Sequence, residues 1–242
     1  ICGDGVTGKS LGILYEMGLD AEISGIKEIS CDSVLLSSPD ETLLTIPIAS
    51  PDDPLTAFCI ERLLFDNILY ERAVESVKAN GGTLLKEKVS GVVVESDVVT
   101  GVRVKDKTYS AKLVVGADGF NGPVSRHVMG ETQQPKQNRN HYSSAVREYW
   151  EGVEGSEGQI EIHFIKGILP GYFWIFPLSD KRFNIGVGML LADMDNQSIK
   201  LKEMLDWVVN ESFLAERFSD AKAIPNTRKG WMLPMGSPRG LS

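Results

Sequence analysis

The sequence is short of the features that mark several large protein classes. It holds three cysteines, Cys2, Cys31 and Cys59, too few and too scattered for a disulfide framework or a zinc site. That usage points to a reducing, cytoplasmic compartment. No basic run of five or more residues occurs, and 25 Lys and Arg against 33 Asp and Glu leave a net charge of −8. A nucleic-acid partner is therefore not expected. The longest nearly apolar stretch, residues 168–178, is interrupted by Pro170, Gly171 and Pro177. It falls well short of the ~18 apolar residues that a spanning helix needs. Repeats, low-complexity tracts and a secretory leader pattern are also missing. What is present is 242 residues, 42% of them hydrophobic, enough for one large core or two joined lobes. The chain starts at Ile1 rather than Met and stops at Ser242 with no closing element, so an internal fragment is the expectation.

The pattern of apolar residues divides the chain. Residues 9–17 carry apolar groups at helical spacing and stop at Gly18, and residues 33–49 read as two short strands around Pro39-Asp40. From Cys59 to Ala79 the apolar positions recur every three or four residues, and Gly81-Gly82 ends that helix. The period then changes to that of strands at Leu84-Leu85, residues 92–94, 99–104 and 113–115, a small β-meander followed by one further strand. Residues 131–140 are polar and mark a boundary. Strands are expected beyond it at 142–149, 159–165, 172–176 and 183–190, then a last amphipathic helix at 198–217.

Four motifs stand out. Residues 3–10, GDGVTGKS, fit the phosphate-loop pattern through Gly3, Gly8, Lys9 and Ser10, and also G-x-G-x-x-G through Gly3, Gly5 and Gly8. Glycines let backbone N–H groups approach a phosphate, and both patterns need a buried strand just before them. Second, Arg62, Phe65, Asp66 and Leu69 give R-x-x-F-D-x-x-L at a helix start. Third, an apolar strand runs into Gly116-Ala117-Asp118-Gly119, where an open α/β sheet binds ligands; Asp118 is able to accept bonds from sugar hydroxyls, or to hold Mg²⁺ in a triphosphatase. Fourth, PGYFWIFP at 170–177 puts Tyr172, Trp174 and Phe176 on one strand face and Phe173 and Ile175 on the other. Such a strand is core on both sides, or core on one side and an aromatic wall on the other.

Taken together, the four motifs resemble the geranylgeranyl reductase family of FAD-dependent oxidoreductases, whose fold is that of the p-hydroxybenzoate hydroxylase group. The family's C-G-D-G tract matches Cys2, Gly3, Asp4 and Gly5, its Y-x-W-x-F-P strand matches Tyr172 to Pro177, and Asn184 to Gly188 follow. The resemblance implies an α/β fold, with a partial Rossmann-like flavin lobe at 1–32 and 58–130. A mostly antiparallel substrate-binding sheet at 33–57 and 131–242 is inserted in it. It implies FAD held by Gly3, Asp4, Gly5, Arg62, Gly116, Asp118 and Gly119, a prenyl chain on Tyr172, Trp174 and Phe176, and no metal. Where the family usually has Ser and then Arg after G-A-D-G, this chain has Gly122 and Ser125. Lys9 and Ser10 then match the phosphate loop by coincidence.

The implied activity is saturation of C=C bonds in geranylgeranyl chains of prenyl lipids or prenyl diphosphates, in the cytoplasm and with peripheral membrane contact. An isolated trisubstituted alkene accepts hydride poorly. Protonation at the less substituted carbon develops tertiary carbocation character, which a hydride quenches. The resemblance makes Cys2 the candidate acid or its positioner. A phosphate-loop triphosphatase, a flavin-dependent aromatic hydroxylase and an inactive fragment are the alternatives.

Overall fold

The computed structural model describes residues 3–25, 30–48, 57–119, 121–129, 139–155 and 158–235. In chain order these form β1 (Gly5–Val6), α1 (Gly8–Glu16), α2 (Asp20–Ser24), β2 (Ser30–Cys31), β3 (Ser33–Ser37), β4 (Leu43–Pro47), β5 (Ala57–Cys59) and α3 (Arg62–Ala79). Then come β6 (Gly91–Glu95), β7 (Val98–Val104), β8 (Lys107–Ser110), α4 (Pro123–Met129), β9 (Tyr142–Glu151), β10 (Gln159–His163), β11 (Tyr172–Pro177) and β12 (Arg182–Leu190). The last elements are α5 (Leu191–Gln197), α6 (Leu201–Glu211), β13 (Lys222–Ala223) and β14 (Lys229–Pro234).

The chain divides into two compact units, residues 1–72 with 144–232 and residues 73–143 with 233–242. The flavin lobe expected at 1–32 and 58–130 is thus shared between them. Cys31 and Cys59 of that expected lobe, with Ala57, bury against Ile160 and Leu178 of the expected substrate sheet.

In the first unit β1, β5 and β2 make a small antiparallel sheet in the order β1-β5-β2. Leu11 and Leu14, three apart on α1, bury against Val6, Phe58, Ile60 and Phe65. Gly18 follows α1 at φ +69°, the left-handed conformation that ends many helices. The larger sheet runs β13-β9-β12-β11-β10-β3-β4, with β14 beside β9. It is mostly antiparallel, as expected, with β10 and β3 parallel. One face packs under α6, whose Leu205, Val208 and Val209 meet Phe173, Ile175, Ile185 and Val187. Each such buried side chain contributes about 1.5–3 kcal/mol of transfer free energy.

The second unit holds the β6-β7-β8 meander that the period-two pattern predicts. Two expected strands do not form. Leu84-Leu85 lies outside any strand, and Leu113 and Val115 are 77% and 79% exposed. A strand forms by pairing, and the described residues place no neighbour beside either segment.

Candidate active site

The aromatic strand alternates as its sequence predicts. Phe173 and Ile175 are fully buried in the core under α6, while Tyr172, Trp174 and Phe176 share the other face. Their rings form a ladder, with centroids 6.0 Å apart from Tyr172 to Trp174 and 6.3 Å from Trp174 to Phe176. Phe164 extends it, 6.3 Å from Tyr172. Burial along the ladder is uneven: Tyr172 is 41% exposed and Trp174 only 6%. Gly186 pairs directly with Trp174, and a Cβ there would lie 2.2 Å from the indole Cζ2. Only glycine lets the indole lie over β12, which gives the N-I-G-V-G run a packing reason.

The glycine turn lies against this ladder. A Cβ on Gly3 would sit 2.8 Å from Phe176 Cε2, and one on Gly5 3.2 Å from it. Asp4 between them has φ +67°, costly for a residue other than glycine, and is 1% exposed. Its surroundings hold it there. Ile60 N donates to its backbone oxygen at 2.9 Å, Arg62 N to Oδ1 at 3.2 Å, and Asn184 Nδ2 to Oδ2 at 2.8 Å. The Tyr149 hydroxyl also bonds it. Burial raises the Asp4 carboxyl above the usual carboxylate range, against the opposing pull of these bonds and of Arg147. Burial, with the Asp4 charge beside it, also raises the Tyr149 phenol. Trp174 Nε1 donates to Asn184 Oδ1 at 3.0 Å, so one hydrogen-bonded line joins the ladder to the turn. Arg147 stacks 4.1 Å over the Tyr149 ring and donates to the Thr227 carbonyl at 2.8 Å, while its Nε is buried without a partner. An unsatisfied buried donor is costly to keep.

Arg62 opens α3, its guanidinium paired with Asp66 and 5.4 Å from the Phe65 ring centroid. Gly116, Asp118 and Gly119 belong to the second unit. Asp118 caps α4, accepting from Val124 N at 2.8 Å and Ser125 N at 3.4 Å. A Cβ on Gly122 would lie 2.0 Å from Asp118 Cγ, so the turn as built admits only glycine there. Cys2 lies outside the described residues. Lys9 is exposed on α1, and β1 falls inside the GDGVTGKS tract, antiparallel to β5. A phosphate loop is irregular backbone between its glycines, whereas here Gly5 and Val6 pair with Cys59 and Phe58.

Sequence reasoning missed the partners of Asp4. Asn184 was visible only as part of a motif, and Tyr149 and Arg147 read as ordinary alternating strand residues. It also missed a buried polar set on the core side of the sheet. Glu161 and His163 are fully buried, and Arg217 grips Glu161 through two bonds of 2.7 and 2.8 Å. His163 Nε2 lies 2.8 Å from Glu161 Oε2, and Nδ1 lies 3.0 Å from Ser37 Oγ. Two cysteines that look unrelated in sequence meet as buried free thiols, Cys31 and Cys59, with sulfurs 3.9 Å apart. Among the described residues no acidic, His or Cys cluster is placed to hold a metal ion, and no helix is long and apolar enough to cross a membrane.

Comparison with known proteins bears on the same sheet. Residues 141–227, which contain β9 to β13, match the family described as the geranylgeranyl reductase catalytic domain. The chain is 29% identical over 197 residues to digeranylgeranylglycerophospholipid reductase 1 of Methanococcoides burtonii, an alignment covering 78% of this chain and 45% of that protein. The chain spans about half the length of the curated relatives it matches. In fold it resembles a geranylgeranyl bacteriochlorophyll reductase-like protein from Thermoplasma acidophilum, with TM-score 0.68, 22% identity, and 95% of this chain and 56% of that one covered. It also resembles the myxobacterial chondrochloren halogenase, an FAD-dependent halogenase, with TM-score 0.75, 19% identity and 97% and 55% covered. Geranylgeranyl reductase-like and halogenase chains thus share this architecture.

Proposed function

We propose that this chain is the substrate-handling part of an FAD-dependent reductase that saturates C=C bonds of geranylgeranyl chains in prenyl lipids or prenyl diphosphates. The observation that carries the reading is the ladder of Tyr172, Trp174 and Phe176, one face of a strand whose other face is core, with the Gly3 and Gly5 turn packed on its end. An aromatic face with no charge on it suits a hydrocarbon chain and stabilises a developing carbocation, by roughly 2 kcal/mol where water is excluded. The name of the Methanococcoides burtonii relative supports the same substrate class.

The chain's residues fit FAD in part. Gly3 and Gly5 have no side chain to block close backbone approach. Arg62 stands at the start of the long helix α3 with its side chain 38% exposed, where an anion is favoured. Gly116 and Gly119 offer a second glycine turn, Gly119 at φ +68°. Asp4 and Asp118 shape these turns, since their carboxylates are engaged by backbone N–H groups and, for Asp4, by Asn184 and Tyr149. Bound FAD in its reduced form supplies the hydride. The ladder keeps water from the alkene, Asp4 and Asn184 fix the Trp174 indole, and Cys2 remains the proposed acid or its positioner. A prenyl-lipid substrate implies peripheral contact with a membrane from the cytoplasmic side.

The test is the visible spectrum of the full-length protein that contains this chain. A flavin spectrum, or its recovery on reconstitution with FAD, is expected, with flavin content unchanged by Lys9→Ala. A colourless protein that takes up no FAD and hydrolyses ATP in a Lys9-dependent way would reverse the assignment.

A further inference from the structure

The strand registers extend the ladder sideways into a longer apolar floor. Directly paired residues in a sheet share a face. Gly186 pairs with Trp174, Trp174 with Ile162, Ile162 with Leu36, and Leu36 with Leu44. These positions form one row across β12, β11, β10, β3 and β4. The row carries no charge, and its one polar group, the Trp174 indole N–H, is already bonded to Asn184. The adjoining row, with Val34, Ile160 and Phe176, packs with Cys31, Ala57 and Cys59, and Ile162 touches the edge of that cluster. At the β4 end the floor is open: Leu44 is 57% exposed on the edge strand, and Ile162 and Leu36 are half-buried.

We propose that the substrate's prenyl chain lies across the strands along this row, and that Leu36 and Leu44 measure its length. This rests on the prenyl-reductase reading. Five strands give four spacings of about 4.8 Å, so the row is ~19 Å long. An extended chain advances about 3.5 Å over three bonds, hence ~4.7 Å over the four bonds of an isoprene unit, and the row holds roughly four units. A geranylgeranyl chain reaches Leu44. A farnesyl chain, one unit shorter, stops at Leu36. The occupant is a hydrocarbon because nothing along the row is free to bond a polar group or balance a charge.

The experiment compares geranylgeranyl and farnesyl diphosphate on the full-length, FAD-loaded protein, by kcat/KM, or by Kd for any substrate bound without turnover. Leu44→Gln is expected to weaken handling of the geranylgeranyl substrate about tenfold, and to leave farnesyl within about twofold. Leu43 is equally exposed at 57% but sits on the opposite face of β4, so Leu43→Gln is expected to leave both substrates within about twofold. A wild-type protein that reduces prenyl chains, with Leu44→Gln harming both substrates alike or neither, would overturn the row while keeping the reductase. A wild-type protein that handles neither diphosphate and no geranylgeranyl lipid overturns the reductase reading and the row together.

Discussion

Phe173→Ala is expected to lower stability by about 3–5 kcal/mol. Tyr172→Ala, one residue earlier, is expected to melt nearly as the wild type and to lose ~10- to 100-fold in kcat/KM on a geranylgeranyl substrate. The contrast comes from the pleat. Phe173 is fully buried, packed with Ile175, Ile185 and Leu205 and edge-on to Phe218 at a centroid distance of 6.3 Å. Removing its ring leaves a cavity that β10, β12 and α6 close only in part. Tyr172 is 41% exposed on the other face, and its ring contacts are the ladder neighbours Phe164 and Trp174. It is a cleaner probe of the wall than Trp174, which is 6% exposed and holds Asn184, so that truncating it disturbs the fold as well. Thermal melting and steady-state kinetics on both variants check this. Loss of turnover in Phe173→Ala with lost stability in Tyr172→Ala would mean that the faces are exchanged.

Arg217→Ala is expected to cost about 3–5 kcal/mol, because it removes the guanidinium from a fully buried carboxylate and leaves the His163 ring beside it. Glu161 sits on β10 under α6, and the two-bond grip of Arg217 neutralises it from the turn that follows that helix. The double variant Arg217→Ala with Glu161→Gln is expected to recover part of the loss, since the charge leaves together with its partner. Denaturant melts of the two single variants and the double complete the cycle. An Arg217→Ala protein within about 0.5 kcal/mol of wild type would show that Arg217 is not what stabilises the buried Glu161 carboxylate.

Several elements are legible in the sequence because local period decides them. The alternation in YFWIFP fixes the two faces of β11, the spacing of Leu201, Leu205, Val208 and Val209 fixes the buried stripe of α6, and valine runs with short polar turns fix the β6-β7-β8 meander. What period cannot reveal is what covers a face. The β10 segment QIEIH reads as half apolar and half solvated. In the structure its Glu161 and His163 are buried, because Arg217, 56 residues away, supplies the charge. The same limit runs the other way at Leu113-Val114-Val115, which reads as an apolar strand and leaves Leu113 and Val115 exposed. At the site, the glycine turn and the aromatic ladder were readable as motifs, but their junction was not. The Asp4 bonds to Asn184 and Tyr149 join positions 180 and 145 residues apart, and no local signal marks such pairs. Asp4, placed at the site by the family resemblance, and Asp118, placed there by the end of an apolar strand, also hold the turns they sit in, a role no local pattern marks.

The most direct measurement is anaerobic. The full-length protein is loaded with FAD, the flavin is reduced chemically, and a geranylgeranyl lipid is added while the visible spectrum is followed and the lipid is then weighed by mass spectrometry. The expected result is return of the oxidised flavin spectrum together with a lipid that has gained one pair of hydrogens for each flavin oxidised, and slower return with Tyr172→Ala. A reduced flavin that stays reduced in the presence of the lipid, with the lipid mass unchanged, would contradict the assignment of this sheet to a prenyl substrate.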